Sequence, residues 1–150
     1  MTTIRCVVDA SVGIKQFIPD LLSPKVNQLF AHLSYPQTKI FVPDLFYIEC
    51  ANILWKYVRA KLYAAADVSA DLATLKAFPL CVVSTADLMA DAVSIGLAHG
   101  ISAYDASYVG LSNQVGAMLL TLDQRLVNAL SGSNNVMLFD NFEVPPLPSI

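Results

Sequence analysis

Arg5-Cys6-Val7-Val8-Asp9-Ala10-Ser11 is a short apolar run stopped by an acid, with small residues following it. A run so short and so uniformly apolar fits a strand covered on both faces, as in a parallel sheet, rather than a half-wet strand, which alternates. Segments of the same kind recur at residues 39–42, 81–83, 117–121 and 136–138. Between them lie stretches that read as helices, at about 11–18, 24–34, 45–60, 66–78, 86–98, 103–114 and 124–130. Short strands alternating with longer helices predict an α/β fold: a three-layer α/β/α sandwich with a central parallel sheet of about five strands flanked by about seven helices.

Local signals mark several boundaries. Pro43-Asp44 stops a strand and offers an N-cap. Ser102-x-x-Asp105 is a variant of the capping box, and His99-Gly100 suits a helix C-terminus with Gly100 left-handed. From about residue 142, the Pro-rich stretch Val144-Pro-Pro-Leu-Pro-Ser-Ile reads as an irregular tail laid on the surface. No repeat or linker divides residues 1–150, so a single domain is expected.

Hydrophobic residues make up 55% of the chain and charged residues 14%, which excludes disorder and predicts a large core. No apolar run has the ~18–20 residues of a membrane span. The start lacks the basic and long apolar regions of a signal peptide, so a cytoplasmic protein with no membrane partner is expected. Cys6, Cys50 and Cys81 are unpaired in spacing and read as small buried hydrophobes in a reducing compartment. A net charge of −3 argues against coating nucleic acid by bulk electrostatics, though not against local phosphate contacts.

Four acids stand out against this frame: Asp9, Glu49, Asp105 and Asp123. Ligands of open parallel sheets bind beyond the carboxyl ends of the strands, where Asp9 and Asp123 fall. Taken singly, helix capping is the better account of each, and Asp105 is equally explained by the helix dipole. Glu49 differs, because Leu45, Phe46 and Ile53 at helical spacing place it on a core-facing stripe with no local cationic partner. Four acids gathered at one edge repel unless a cation neutralises them, and an all-oxygen set without His or Cys selects Mg2+ or Mn2+. Ser11 and Thr121 each lie two residues from an acid. They suit holding a carboxylate, a water or a phosphate, or ordinary hydrogen bonding at element ends.

The four motifs Val7-Val-Asp-Ala-Ser-Val12, Val42-Pro-Asp-Leu-Phe-Tyr-Ile-Glu-Cys-Ala-Asn-Ile-Leu54, Ala103-Tyr-Asp-Ala-Ser-Tyr-Val-Gly-Leu111 and Leu119-Leu-Thr-Leu-Asp-Gln-Arg-Leu126, in that order, closely resemble the PIN-domain nucleases, and among them the VapC toxins of toxin–antitoxin pairs. The resemblance implies a PIN-like fold and a Mg2+- or Mn2+-dependent endoribonuclease that cleaves phosphodiester bonds with a metal-activated water, leaving a 5′-phosphate and a 3′-hydroxyl. Asp9, Glu49, Asp105 and Asp123 match the family's acidic positions, and Ser11 and Thr121 its hydroxyls. Asp9 and Asp105 are the first candidates for direct metal ligands, while Glu49 binds metal or orients the water and Asp123 completes the site. The implied partners are an RNA substrate, a VapB-like antitoxin and a second copy of the chain in a homodimer.

Lys15 and Arg125, near Asp9 and Asp123 in sequence, are the candidates for phosphate contacts. Lys56, Arg59 and Lys61 read slightly better as a solvated helix end than as an RNA contact. His32 and His99 read as structural, and Phe46, Tyr47, Trp55 and Tyr57 as core or interface. The main competitor is a PIN nuclease without an antitoxin, working in RNA processing or on another nucleic acid. A phospho-acceptor receiver wants an acid pair after its first strand and an acid after its third, where this chain has Ser84-Thr85. An aspartyl-phosphate hydrolase wants Asp-x-Asp, where this chain has Asp9-Ala10-Ser11.

Overall fold

A computed structural model describes residues 3–133 and 135–149, so the first two residues and Ile150, the end of the expected tail, lie outside it. Among the described residues five strands form one sheet: β1 (Arg5–Val8), β2 (Lys39–Pro43), β3 (Cys81–Val83), β4 (Met118–Thr121) and β5 (Val136–Leu138). Every pairing is parallel, in the order β3-β2-β1-β4-β5. The chain winds outward from β1 through β2 to β3, then returns to β4 on the other side of β1. The strand order therefore reverses between β1 and β4, where parallel sheets open a crevice at their carboxyl ends.

Among the described residues seven α-helices connect and follow the strands: α1 (Ala10–Gly13), α2 (Ser23–Ala31), α3 (Leu45–Arg59), α4 (Val68–Ala77), α5 (Met89–His99), α6 (Ala103–Val115) and α7 (Gln124–Ala129). With the right-handed crossovers usual for parallel strands, this strand order puts α1 to α4 on one face of the sheet and α5 to α7 on the other. The expected three-layer sandwich of five parallel strands is thus the fold. Central β1 is sealed, with Cys6, Val7 and Val8 fully buried. Edge strands β3 and β5 are only partly covered, which departs from the expectation of strands covered on both faces. Among the described residues no helix is long and apolar enough to cross a membrane.

Several expected helices are shorter and end in tighter turns. Residues 11–18 divide into α1 and a 3-10 turn at Ile14–Gln16, and 3-10 turns at His32–Ser34, Ala65–Asp67 and Thr85–Asp87 extend or precede α2, α4 and α5. Such turns are common at helix ends and share the apolar spacing of a helix. Gly100 adopts the left-handed conformation expected of it. Ser102 caps α6 by accepting the Asp105 amide at 3.1 Å. Asp44 does not cap α3; its carboxylate instead accepts the Thr85 amide at 3.2 Å, tying together the loops that leave β2 and β3. The tail is irregular but anchored: His32 Nε2 and Gln28 Nε2 both donate to the Pro145 carbonyl, at 2.8 and 3.0 Å. Phe142 and Val144 also pack against the core. His32 is therefore structural, as expected.

One close approach sets the geometry of the site. A Cβ built on buried Gly13 would lie 2.5 Å from the Phe46 ring, so glycine lets α1 lie flat against α3. Phe46 is itself fully buried and has little room to yield. Gly13→Ala is therefore expected to destabilise the protein by about 1–3 kcal/mol through overpacking. Denaturant unfolding of the single variant, with Phe46→Leu as the relieving second change, checks this.

Candidate active site

Asp9 follows β1 directly and caps α1, accepting the Val12 amide at 3.2 Å. Its carboxylate is buried and receives two further hydrogen bonds, from Ser11 Oγ to Oδ1 and from Thr121 Oγ1 to Oδ2, each 2.5 Å. Both hydroxyls are used twice. Ser11 Oγ accepts the Leu122 amide at 3.0 Å, and Thr121 Oγ1 accepts the Asp123 amide at 3.1 Å. The loops leaving β1 and β4 are thereby held together through Asp9. Of the uses open to these hydroxyls, two are formed together: holding a carboxylate and ordinary hydrogen bonding at element ends.

Asp123 lies two residues past β4 and caps α7, its Oδ1 accepting the Arg125 and Leu126 amides at 2.9 and 3.4 Å. Asp105 sits half-buried in the first turn of α6. The capping and dipole explanations therefore hold for Asp9, Asp105 and Asp123 as local structure. They do not account for what the three have in common, which is that all line one cavity with Glu49.

Glu49 does not sit on the core stripe. The buried row of α3 is Phe46, Cys50 and Leu54, one position over, and Glu49 is half-buried with exposed Asn52 as a neighbour. Nor does it lack a partner: the hydroxyl of Tyr108 on α6 donates to Glu49 Oε1 at 2.6 Å. A solitary buried charge is thus no longer the argument for a metal there. Tyr108 was not among the expected residues, although its position one turn beyond Asp105 puts it on the same helix face.

The cavity measures about 900 Å³ and is walled by Ser11, the α3 side chains Ile48, Asn52, Trp55 and Lys56, and Tyr104 and Tyr108 of α6, besides the four acids. Lys56 is exposed in the last turn of α3, the solvated helix end expected of it, and it also borders the cavity of the acids. Arg125 Nε lies 3.8 Å from Asp123 with its guanidinium in solvent. Lys15 pairs with Asp20 at 3.2 Å and is not part of the wall.

The acids feel both burial and one another. Burial pushes the Asp9 carboxyl up to about 6, outweighing the hydrogen bonds from Ser11, Thr121 and Val12 that pull it down, and Asp105 adds repulsion. Asp105 is raised by burial and by Asp123, and Glu49 by burial and by Asp105, against the opposing Tyr108 hydrogen bond. All donors in the set are oxygens, and the hydrogen bonds to Asp9 come from neutral groups, so its charge is left uncompensated. That chemistry fits a hard divalent cation held by Asp9, Glu49, Asp105 and Asp123. Among the described residues no three such side chains already converge as a closed ligand cluster. The fit therefore rests on donor type and shared cavity.

A raised carboxyl pKa has a definite sign in stability. Between the unfolded value near 4 and about 6, folded Asp9 holds its proton more tightly than the unfolded chain does. The penalty for ionising it is absent below that window, grows through it, and above it reaches on the order of 3 kcal/mol. Without divalent cation, the melting temperature should fall as pH rises through the window. Asp9→Asn should flatten that fall and melt no lower than the parent at neutral pH. Thermal unfolding against pH in chelator checks both, and a clear drop for the variant would reduce Asp9 to a capping residue.

Comparison with known proteins bears on the family and the fold. The PIN-domain family profile matches residues 6–129. Ribonuclease VapC3 of Pyrobaculum aerophilum is 35% identical over 124 residues, covering 81% of this chain and 92% of that protein. The crystal structure of PAE2754, also from Pyrobaculum aerophilum, superposes with a TM-score of 0.69 at 21% identity, covering 91% of this chain and 85% of that one. A toxin–antitoxin complex from Klebsiella pneumoniae has a TM-score of 0.57 at 13% identity, covering 89% and 96% of the two chains. The last two likenesses concern fold alone, whereas the profile and the VapC3 identity span most of the sequence. The chain belongs to the PIN-domain family, within its VapC group.

Proposed function

We propose that this protein is a Mg2+- or Mn2+-dependent endoribonuclease and the toxin of a type II toxin–antitoxin pair. The observation that carries the proposal is the gathering of Asp9, Glu49, Asp105 and Asp123 on one cavity at the sheet's switch point. The relatives named above support the choice of RNA as substrate and of an antitoxin as partner.

A divalent cation bound there supplies Lewis-acid contact with a phosphate oxygen and acidifies a water. Asp9 and Asp105 are assigned as its direct ligands, with Asp123 completing the set. Ser11 and Thr121 fix both oxygens of Asp9, so its carboxylate is oriented before anything binds. Glu49 orients the attacking water, and the Tyr108 hydroxyl holds the Glu49 carboxylate from across the cavity. Water attacks phosphorus in line, the P–O3′ bond breaks, and the products are a 5′-phosphate and a 3′-hydroxyl. Arg125 is assigned to the phosphate backbone, since its guanidinium is exposed beside Asp123. Lys15 is the weaker candidate because Asp20 already engages it.

A homodimer and a VapB-like antitoxin complete the proposal. Met89, Val93 and Leu97 present an apolar row along α5, spaced one helical turn apart and 65%, 54% and 83% exposed, which suits a second copy. A cleft lined by Tyr47, Ala51, Leu72, Leu75 and Lys76, between α3 and α4, offers apolar surface to an antitoxin segment.

Asp9→Asn and Asp105→Asn are expected to abolish Mg2+-dependent RNA cleavage, as chelator does, with the fold intact by circular dichroism. Tyr108→Phe, which removes only an outer hydrogen bond, should cost about 10- to 100-fold. Undiminished cleavage by the purified Asp9→Asn, Asp105→Asn double variant would sink the site. Light scattering should find twice the 16.2 kDa chain mass, and Val93→Asp should return a monomer.

A further inference from the structure

Two aromatic side chains on the wall of the acidic cavity are not explained by packing. Trp55 is 54% exposed and Tyr104 65% exposed, yet both line the same cavity as the four acids. Trp55 misses the buried row of α3 by one position. It lies six residues beyond Glu49, or about 9 Å along the helix axis. Tyr104 adjoins Asp105 at the start of α6. The guanidinium of Arg59 stacks over the Trp55 ring at 5.0 Å, orienting it and setting a cation beside it, with Lys56 on the neighbouring wall.

The electrostatics of the cavity require some such feature. Four carboxylates and a net charge of −3 repel a phosphodiester chain, and Lys56 is the one cation among the residues that wall the cavity. A cation bound to the acids can hold one phosphate, but it does nothing for the nucleotides on either side. With so few cations at the wall, uncharged contacts there would add to what Lys56, Arg59 and Arg125 supply. An unpaired base stacked on an aromatic ring gains about 5- to 150-fold in affinity, whatever its sequence. A volume of about 900 Å³ is near the top of the ~300–1,000 Å³ range of ligand sites, so it has room for nucleosides beside the scissile phosphate.

We propose that Trp55 and Tyr104 form a base-stacking subsite that holds unpaired nucleotides of single-stranded RNA next to the acids. The subsite deepens the nuclease assignment above and rests on it. A duplex keeps its bases stacked on one another and cannot use these rings, so the subsite makes the enzyme selective for single strands.

Trp55 is the chain's single tryptophan, so fluorescence excited at the red edge, where the six tyrosines hardly absorb, reports from this wall alone. The full-length protein, in Ca2+ to hold off cleavage, is titrated with a short unstructured RNA, an abasic phosphodiester chain of equal length, and duplex RNA. Only the single-stranded RNA is expected to quench the fluorescence at low concentration. By anisotropy of labelled RNA, Trp55→Ala and Tyr104→Ala should each weaken binding by about 5- to 150-fold, while Trp55→Phe and Tyr104→Phe retain most of it. In Mg2+ the alanine variants should raise KM more than they lower kcat. Equal binding of the abasic chain or the duplex, or alanine variants that bind RNA like the parent, would overturn the subsite. Cleavage that persists beside such a result leaves the nuclease assignment standing. Quenching by RNA with no Mg2+-dependent cleavage overturns that assignment and leaves the RNA-binding wall.

Discussion

The site depends on one buried carboxylate. Asp9 occupies the point where β1 and β4 part, and the hydrogen bonds it receives come from an amide and two hydroxyls. These bonds favour the ionised form, but burial outweighs them, so the charge is stored at a cost in stability. Ser11 and Thr121 each donate to Asp9 and accept an amide from the loop after β4. Removing either hydroxyl would orphan an amide as well as loosen the carboxylate. The same two side chains thus fix the strand-end loops and aim the acid, so orientation of the charge is built into the fold.

The second half of the site comes from helices on opposite faces of the sheet. Glu49 belongs to α3 and Asp105 to α6, and the hydrogen bond from Tyr108 to Glu49 joins those helices over the carboxyl edge. Gly13 matters to the same geometry, because any larger residue would push α1 away from Phe46 and so shift Asp9 relative to Glu49. Asp105 then sits close enough to raise both acids by repulsion. A cation held between them, as proposed, would remove that repulsion and so couple binding to folding at this edge.

Features carried by local pattern were legible in the sequence. The five strands were, because each is a short apolar run, and so were the caps made by Ser102, Gly100 and Asp123, because each acts within a few residues of itself. The misread features are decided by partners distant in sequence. Asp44 looks like an N-cap, yet the amide it binds belongs to Thr85. Glu49 looked unpartnered because Tyr108 lies 59 residues on. Its assignment to the core stripe failed because Leu45 and Ile53 are only half-buried, so their spacing points to the boundary of the core and not its centre. The face shared by Glu49, Asn52 and Lys56 was recoverable from helical spacing, and it would have placed Lys56 at the cavity. Convergence of the four acids on one cavity required the strand order, which no local pattern contains.

The distribution of positive charge bears on how such a site meets a polyanion. Arg5 donates to the Val115 carbonyl and stacks on Phe41, Lys25 binds the Phe139 and Asp140 carbonyls, and Lys15 pairs with Asp20. Arg59 lies on Trp55, and Arg125 leans on Asp123. Arg5, Lys15 and Lys25 are thus engaged as local ties and are not part of the cavity wall, whereas Lys56 lines it and Arg59 and Arg125 stand beside wall residues. Non-specific attraction to nucleic acid, which grows with the number of phosphates neutralised, is correspondingly small. Such a protein does not hold RNA by charge alone. On the reading proposed above it would need a cation at its acids and uncharged contact beside them, the latter from the wall formed by α3 and the start of α6.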